Sequence, residues 1–285
     1  MKFILNFRKI FKKNLLGRKE IIVIISAIVL TTVGIKASDN FFNSNDLVIQ
    51  DKSRCPINMV FVFSENGGFC IDKYEASPNH NCPYNNPLSQ SQTRINLDDP
   101  HCYSDSRADA IPWRNISQNQ AAMACAKAGK RLPTNKEWLQ AALGTPDHNS
   151  DWGSDDCHVA NNWQSQPGLT GSGKNCVSSV GAYDMIGNVW EWVDGTIFNG
   201  IYNNRQLPKQ GFVKSIDEDA IPNETDQKIS DLNYYEDYFW IKSKGTRGIS
   251  RGGYWNNKSD AGQYAVYMVT SPAFTGVGIG FRCVK

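Results

Sequence analysis

Apolar residues along this chain fall into one long run and many short ones. The long run is Ile21 to Ile35, fifteen residues without a charge. A helical span needs about 20 residues, and a run this short has the length of a signal-peptide core. Arg18, Lys19 and Lys36 flank it, and their long side chains extend a span by snorkelling. Lys36-Ala37-Ser38 is a poor small-x-small cleavage site. An uncleaved signal anchor over 21–37 is therefore preferred to a cleaved signal peptide or a buried core helix. Behind it, 38–54 is polar and reads as a linker.

From Cys55 onward the pattern changes to short pieces. Residues 55–77 read as two strands around the Asn66-Gly67-Gly68 turn. Residues 78–112 are rich in Asn, Pro, Asp and Ser and read as a loop. Ser117 is placed to cap a helix through Gln120–Ala128, which Gly129 ends. Thr134 and Glu137 have capping-box spacing for a helix from Trp138 to Leu143. Residues 144–182 have little periodicity. Strand-like pieces follow at Asn188–Val193, Tyr238–Ile241, Ser250–Trp255, Tyr264–Val269 and Ile279–Val284, with 195–248 reading as a long surface insertion. The result is an α+β fold of low regular content, with one domain over 55–285 and much of its chain in loops, where binding chemistry concentrates.

Charge sharpens the topology. Residues 1–20 carry seven bases against Glu20, net +6, so the overall +2 leaves −4 for the remainder. The basic flank places the N-terminus in the cytoplasm and 38–285 outside. A mildly acidic globular part argues against a nucleic-acid partner. All eight cysteines lie beyond residue 54 and none forms a CxxC pair, so disulfides are expected, not a zinc ribbon. By proximity, Cys55–Cys70, Cys82–Cys102 and Cys157–Cys176 are the natural pairs. The four histidines, His80, His101, His148 and His158, read as solvated loop residues, and no H-E-x-x-H or G-x-S-x-G motif is present.

Five segments in order resemble the formylglycine-generating-enzyme (sulfatase-modifying factor) family: FCIDKYEAS at 69–77, GKRLPTNKEWLQAA at 129–142, GAYDMIGNVWEWV at 181–193, RGGYW at 251–255 and GIGFRC at 278–283. The resemblance spans roughly 55–285 and implies a C-type-lectin-like fold. It also implies a Cys125–Cys283 disulfide. It implies structural Ca²⁺, held by Asp184 and Glu191 side chains and the Gly187 and Val189 carbonyls, oxygen donors suited to that ion. A second calcium site would begin at Asn161 and Asn162, but GLTGSGKNC after it holds no acid. The competing reading is that Glu191 pairs with Arg282. Trp190 and Trp192 alternate with Glu191 and should face away from it.

Founding members oxidise a cysteine in a sulfatase with copper(I) on two thiolates, soft ligands for a soft ion, both between the RGG and GFR motifs. Between Arg251 and Arg282 this chain has no cysteine, so no copper is expected and catalysis is doubtful. That interval instead holds Tyr with Ser, Thr, Asn and Gly, the composition of antibody-like surfaces. Its candidate ligand-binding residues are Tyr254, Asn256, Asn257, Tyr264, Tyr267, Val269, Thr270, Ser271, Phe274, Thr275 and Val277. The same fold serves the variable proteins of diversity-generating retroelements, whose variable segment lies between equivalent motifs. Adenine mutagenesis there yields codons that never encode Lys, Met, Trp, Gln or Glu, and from Tyr264 to Gly278 only Met268 breaks that rule. Three readings stand at this point: a surface protein binding a protein or glycan ligand through a diversified face, a metal-dependent oxidase-type enzyme, or a fixed structural envelope module.

Overall fold

Strand β1 (Met59–Val62) pairs antiparallel with β2 (Phe69–Asp72) to open the fold. The computed structural model describes residues 55–285 apart from Asn66; the basic stretch 1–20, the anchor at 21–37, the linker and the Asn66 corner lie outside the described residues. No described helix is long and apolar enough to cross a membrane.

A second hairpin-like pair, β3 (Ala76–Pro78) and β4 (Ser104–Ser106), brackets helix α1 (Gln90–Asp98). That helix falls inside the segment read as loop. Ser89 caps it, and the side chains it buries are Thr93, Asn96 and Leu97. Two of the three are polar, so no apolar stripe marks it in sequence. Instead, Asn96 bonds both the N–H and the carbonyl of Tyr84 at 2.8 and 2.7 Å, and Thr93 accepts from the Trp113 indole.

Helices α2 (Gln118–Lys127) and α3 (Asn135–Ala142) follow, each opening on a complete capping box, Ser117 with Gln120 and Thr134 with Glu137. Then, after a long irregular stretch, come the strands of one nine-stranded sheet. In chain order they are β5 (Trp190–Phe198), β6 (Ile201–Tyr202), β7 (Arg205–Gln206), β8 (Gly211–Ile216), β9 (Pro222–Asp226), β10 (Tyr238–Ile241), β11 (Thr246–Arg251), β12 (Val266–Met268) and β13 (Ile279–Phe281). The order across the sheet is β7-β6-β5-β11-β12-β10-β8-β9, with β13 against β5. Two contacts are parallel, β10 with β12 and β13 with β5.

The 195–248 stretch is therefore no surface insertion. It supplies the end of β5, all of β6 to β10 and the start of β11, and it buries Ile197, Leu207, Val213, Ile221 and Phe239. Its core residues arrive singly among charged ones, and strands of two to six residues are too short to show alternation. The strand expected at Ser250–Trp255 ends at Arg251, because Gly252 and Gly253 take φ of 89° and 93°. A side chain at Gly252 would lie 2.7 Å from the Met185 carbonyl oxygen, so the turn needs glycine.

The four expected disulfides form: Cys55–Cys70, Cys82–Cys102, Cys125–Cys283 and Cys157–Cys176. Cys125–Cys283 ties α2 to the end of the chain across 158 residues, a closure worth about 4–5 kcal/mol in the chain-entropy model.

Candidate ligand-binding site

The sheet register brings aromatic rings together on one face. Trp240 of β10 is the parallel partner of Tyr267 on β12, and Trp190 of β5 pairs with Ile279 of β13. Trp190 meets Trp240 edge-to-face at 5.4 Å and 86°, and Tyr267 lies 5.4 Å from Trp190 and 6.3 Å from Trp240. The turn after Gly253 adds Tyr254, fixed by its N–H bond to Asn257 Oδ1 at 2.9 Å. The loop before β13 adds Phe274 and Val277, 43% and 55% exposed, as the rim. Together these residues line a cavity of about 450 Å³ that contains no charged side chain. Burial and the neighbouring Tyr254 push the Tyr267 hydroxyl above its usual range, so it remains a donor at neutral pH.

Of the eleven expected ligand-binding residues, Tyr254, Asn257, Tyr267, Phe274 and Val277 converge here. The others do not. Tyr264 turns to Tyr234 and Tyr235, at 4.9 and 6.4 Å. Asn256 accepts from Asn161 at 2.7 Å. Val269, Thr270, Ser271 and Thr275 lie outside the cavity wall, with the Thr270 hydroxyl buried and unpartnered. Within β12, Val266 and Met268 are fully buried while Tyr267 faces the cavity, so strand alternation splits the window. Sequence reasoning missed Trp240, hidden in the supposed insertion, and passed over Trp190, although the alternation with Glu191 already turned it to this side.

Glu191 faces the other way. Both its oxygens accept from Arg282, at 2.6 to 2.9 Å, and Oε2 also accepts from the Trp138 indole at 2.6 Å. Arg282 also donates to the Asp72 and Tyr183 carbonyls. Glu75 completes this buried group. Its Oε1 accepts from Val189 N–H and its Oε2 from the Asn188 amide, joining the 69–77 motif to the 181–193 motif. Asp184 gives one oxygen to Gly171 N–H and keeps Oδ1 buried without a partner. Burial pushes Asp184 up to about 7, and burial with the Asp184 and Glu191 charges raises Glu75 well above the carboxylate range. As arranged, the donors Asp184, Gly187, Val189 and Glu191 do not fit calcium, because Glu191 is held by a guanidinium. Asn162 is saturated by Val159, Ala160, Gly153 and Cys157, so the second set does not fit either. No group of three or more His, Cys, Asp or Glu placed to hold a metal occurs among the described residues.

His158 departs from expectation: it is fully buried, stacked on Trp163 at 4.6 Å, and burial lowers it to about 4. A second acidic pair, Asp237 fully buried and Asp147 partly so, was not anticipated. Asp237 Oδ2 accepts from Tyr264 N–H at 2.6 Å and Asp147 Oδ2 from Gln263 N–H at 3.3 Å. Asp237 Oδ1 has no partner. Both carboxylates close on the bare Cα of Gly262, where an added Cβ would lie 1.7 Å from Asp237 Oδ1 and 2.5 Å from Asp147 Oδ2. Burial pushes Asp147 up to about 7; burial and the Asp147 charge raise Asp237 well above its usual range, against the opposing pull of Arg251.

A hairpin and three short helices on a long mixed sheet, closed by the RGG turn and a buried GFR arginine, define a C-type-lectin-like α+β domain. The sulfatase-modifying factor enzyme 1-like domain matches residues 58–285, and the chain belongs to that family. It is 32% identical over 97 residues to the formylglycine-generating enzyme of Bos taurus, covering 28% of this chain and 26% of that enzyme. It is 35% identical over 100 residues to the inactive C-alpha-formylglycine-generating enzyme 2 of Mus musculus, covering 30% and 32%. The chain thus spans about a quarter to a third of the length of the curated relatives it matches. Among solved structures, the Major Tropism Determinant I1 variant aligns with TM-score 0.43 and 18% identity over 81% of this chain and 52% of that one. Treponema denticola variable protein 1 aligns with TM-score 0.38 and 16% identity over 81% and 99%.

Proposed function

We propose that this domain is a non-catalytic ligand-binding module whose binding site is the aromatic cavity between β5, β10 and β12. The observation that carries the reading is the convergence of Tyr254, Asn257, Tyr267, Phe274 and Val277 with Trp190 and Trp240 around one uncharged cavity. The first five come from the segment that, in founding members of the family, holds the copper thiolates; Trp190 and Trp240 join them from β5 and β10. In this chain that segment has no cysteine, and all eight cysteines are committed to disulfides. The seven bases and the uncharged run at 21–35 support display of the domain outside a membrane, tethered by the N-terminal segment.

The test is chemical. The full-length protein is supplied with copper(I) and oxygen and incubated with a peptide carrying CxPxR, and metal content and cysteine oxidation are read by mass spectrometry. The expected result is no stoichiometric copper and no oxidised peptide. Copper at one per chain with turnover sinks the non-catalytic reading.

One observation favours diversification of this face. Met268, the sole residue of 264–278 that breaks the adenine-mutagenesis rule, is fully buried, whereas Tyr267, Phe274 and Val277, which obey it, line the cavity. Sequencing the locus across isolates tests this; invariance at Tyr267, Phe274 and Val277 rejects it.

A further inference from the structure

We propose that the cavity binds a neutral sugar ring, an inference that rests on its reading as the binding site. Charge is the first filter. No Asp, Glu, Lys, Arg or His lines the cavity, so an ion leaving water would find no counter-charge there. An organic cation is the strongest competitor, because aromatic faces attract one. Yet these rings pack on each other. Trp190, Trp240 and Tyr267 sit 5.4 to 6.3 Å apart, and Tyr238 closes on Trp240 at 4.8 Å. They make a continuous wall, not a box around an empty centre.

A purely apolar ligand fits no better. The hydroxyls of Tyr254 and Tyr267 and the indole N–H groups of Trp190 and Trp240 have no hydrogen-bond partner among the described residues. None of the four is a buried orphan, so each still meets solvent. Asn257 uses its Oδ1 on Tyr254 N–H and keeps its amide N–H groups. An apolar ligand would strip water from these donors and return no bond.

A pyranose meets both conditions. One face presents C–H groups to the ring wall, and its hydroxyls accept from the indoles and the amide and exchange bonds with the tyrosines. Tyr and Trp suit such a ligand because each joins an apolar body to a polar tip. The volume, about 450 Å³, lies in the small-molecule range. The exposed rim at Phe274 and Val277 leaves room for a longer chain to run out, so the occupant is the terminal residue of a neutral glycan.

An array of neutral mono- and oligosaccharides probed with the full-length protein tests this, with hits titrated by tryptophan fluorescence. Saturable binding to neutral hexose or N-acetylhexosamine ends is expected. Trp240→Ala should weaken it at least about tenfold. Tyr267→Phe, which keeps the ring and removes the hydroxyl, should weaken it about three- to tenfold. Tetramethylammonium and indole serve as control ligands. If no glycan binds while either control binds and is lost in Trp240→Ala, the sugar class is overturned and the cavity stands. If glycans bind equally well to Trp240→Ala, or if nothing binds, the cavity reading falls with it.

Discussion

Glu191 and Arg282 decide how the signature motifs work in this chain. Each is buried, and each is the other's main partner. Removing one partner of a buried pair strands the other charge, at a cost of about 3–5 kcal/mol. Arg282→Met should lower stability to urea by that amount, and the Glu191→Gln, Arg282→Met double variant should recover part of the loss. The pairing was legible as one of two readings of Glu191. Glu75 was not legible, since one acid among the charged residues between β2 and β3 carries no sign of the Asn188–Val189 turn it holds. The Asp147 and Asp237 pair gives a pH prediction. Their folded pKa values lie above the unfolded ones, so the folded state holds protons more tightly. The pair's contribution to stability is then fully present below an unfolded pKa of about 4 and is lost as pH rises through about 7. Asp184 and Glu75, raised likewise, act in the same direction, so between pH 5.5 and 8 the melting temperature should fall, on the order of 5 °C, and Asp237→Asn should remove part of that slope. A melting temperature that rises over this range contradicts the raised pKa values.

At the scale of elements, what sequence revealed followed local chemistry. Ser117 with Gln120 and Thr134 with Glu137 announced α2 and α3 because capping is a contact over three residues. Thr134→Ala should cost about 1 kcal/mol, read from the urea midpoint. Helix α1 stayed hidden because Asn96 and Thr93, not an apolar stripe, fasten it. Within 195–248 the piece at Tyr238–Ile241 was read and is β10, while β6 to β9 stayed hidden for a related reason. The buried Leu207, Val213 and Ile221 are scattered through a stretch rich in polar and charged residues, and period-2 patterning needs more than two or three residues to appear.

For the whole molecule, family and fold were legible because five motifs kept their order, and the disulfide frame followed from spacing and resemblance. The proposed binding face was half legible. Tyr254, Tyr267 and Phe274 stood out by composition, but Trp190 and Trp240 join them only through the β5–β13 and β10–β12 registers. The scaffold of the family is kept while the thiols that would bind copper are absent from the closing segment, and an aromatic cavity occupies that region. A saturation-transfer NMR screen of a diverse fragment library against the full-length protein tests this account most directly, repeated on Trp240→Ala with its melting temperature checked. Fragments that compete for one site and lose binding at least about tenfold in a folded Trp240→Ala protein are the predicted result; fragments whose binding is unchanged in that variant contradict it.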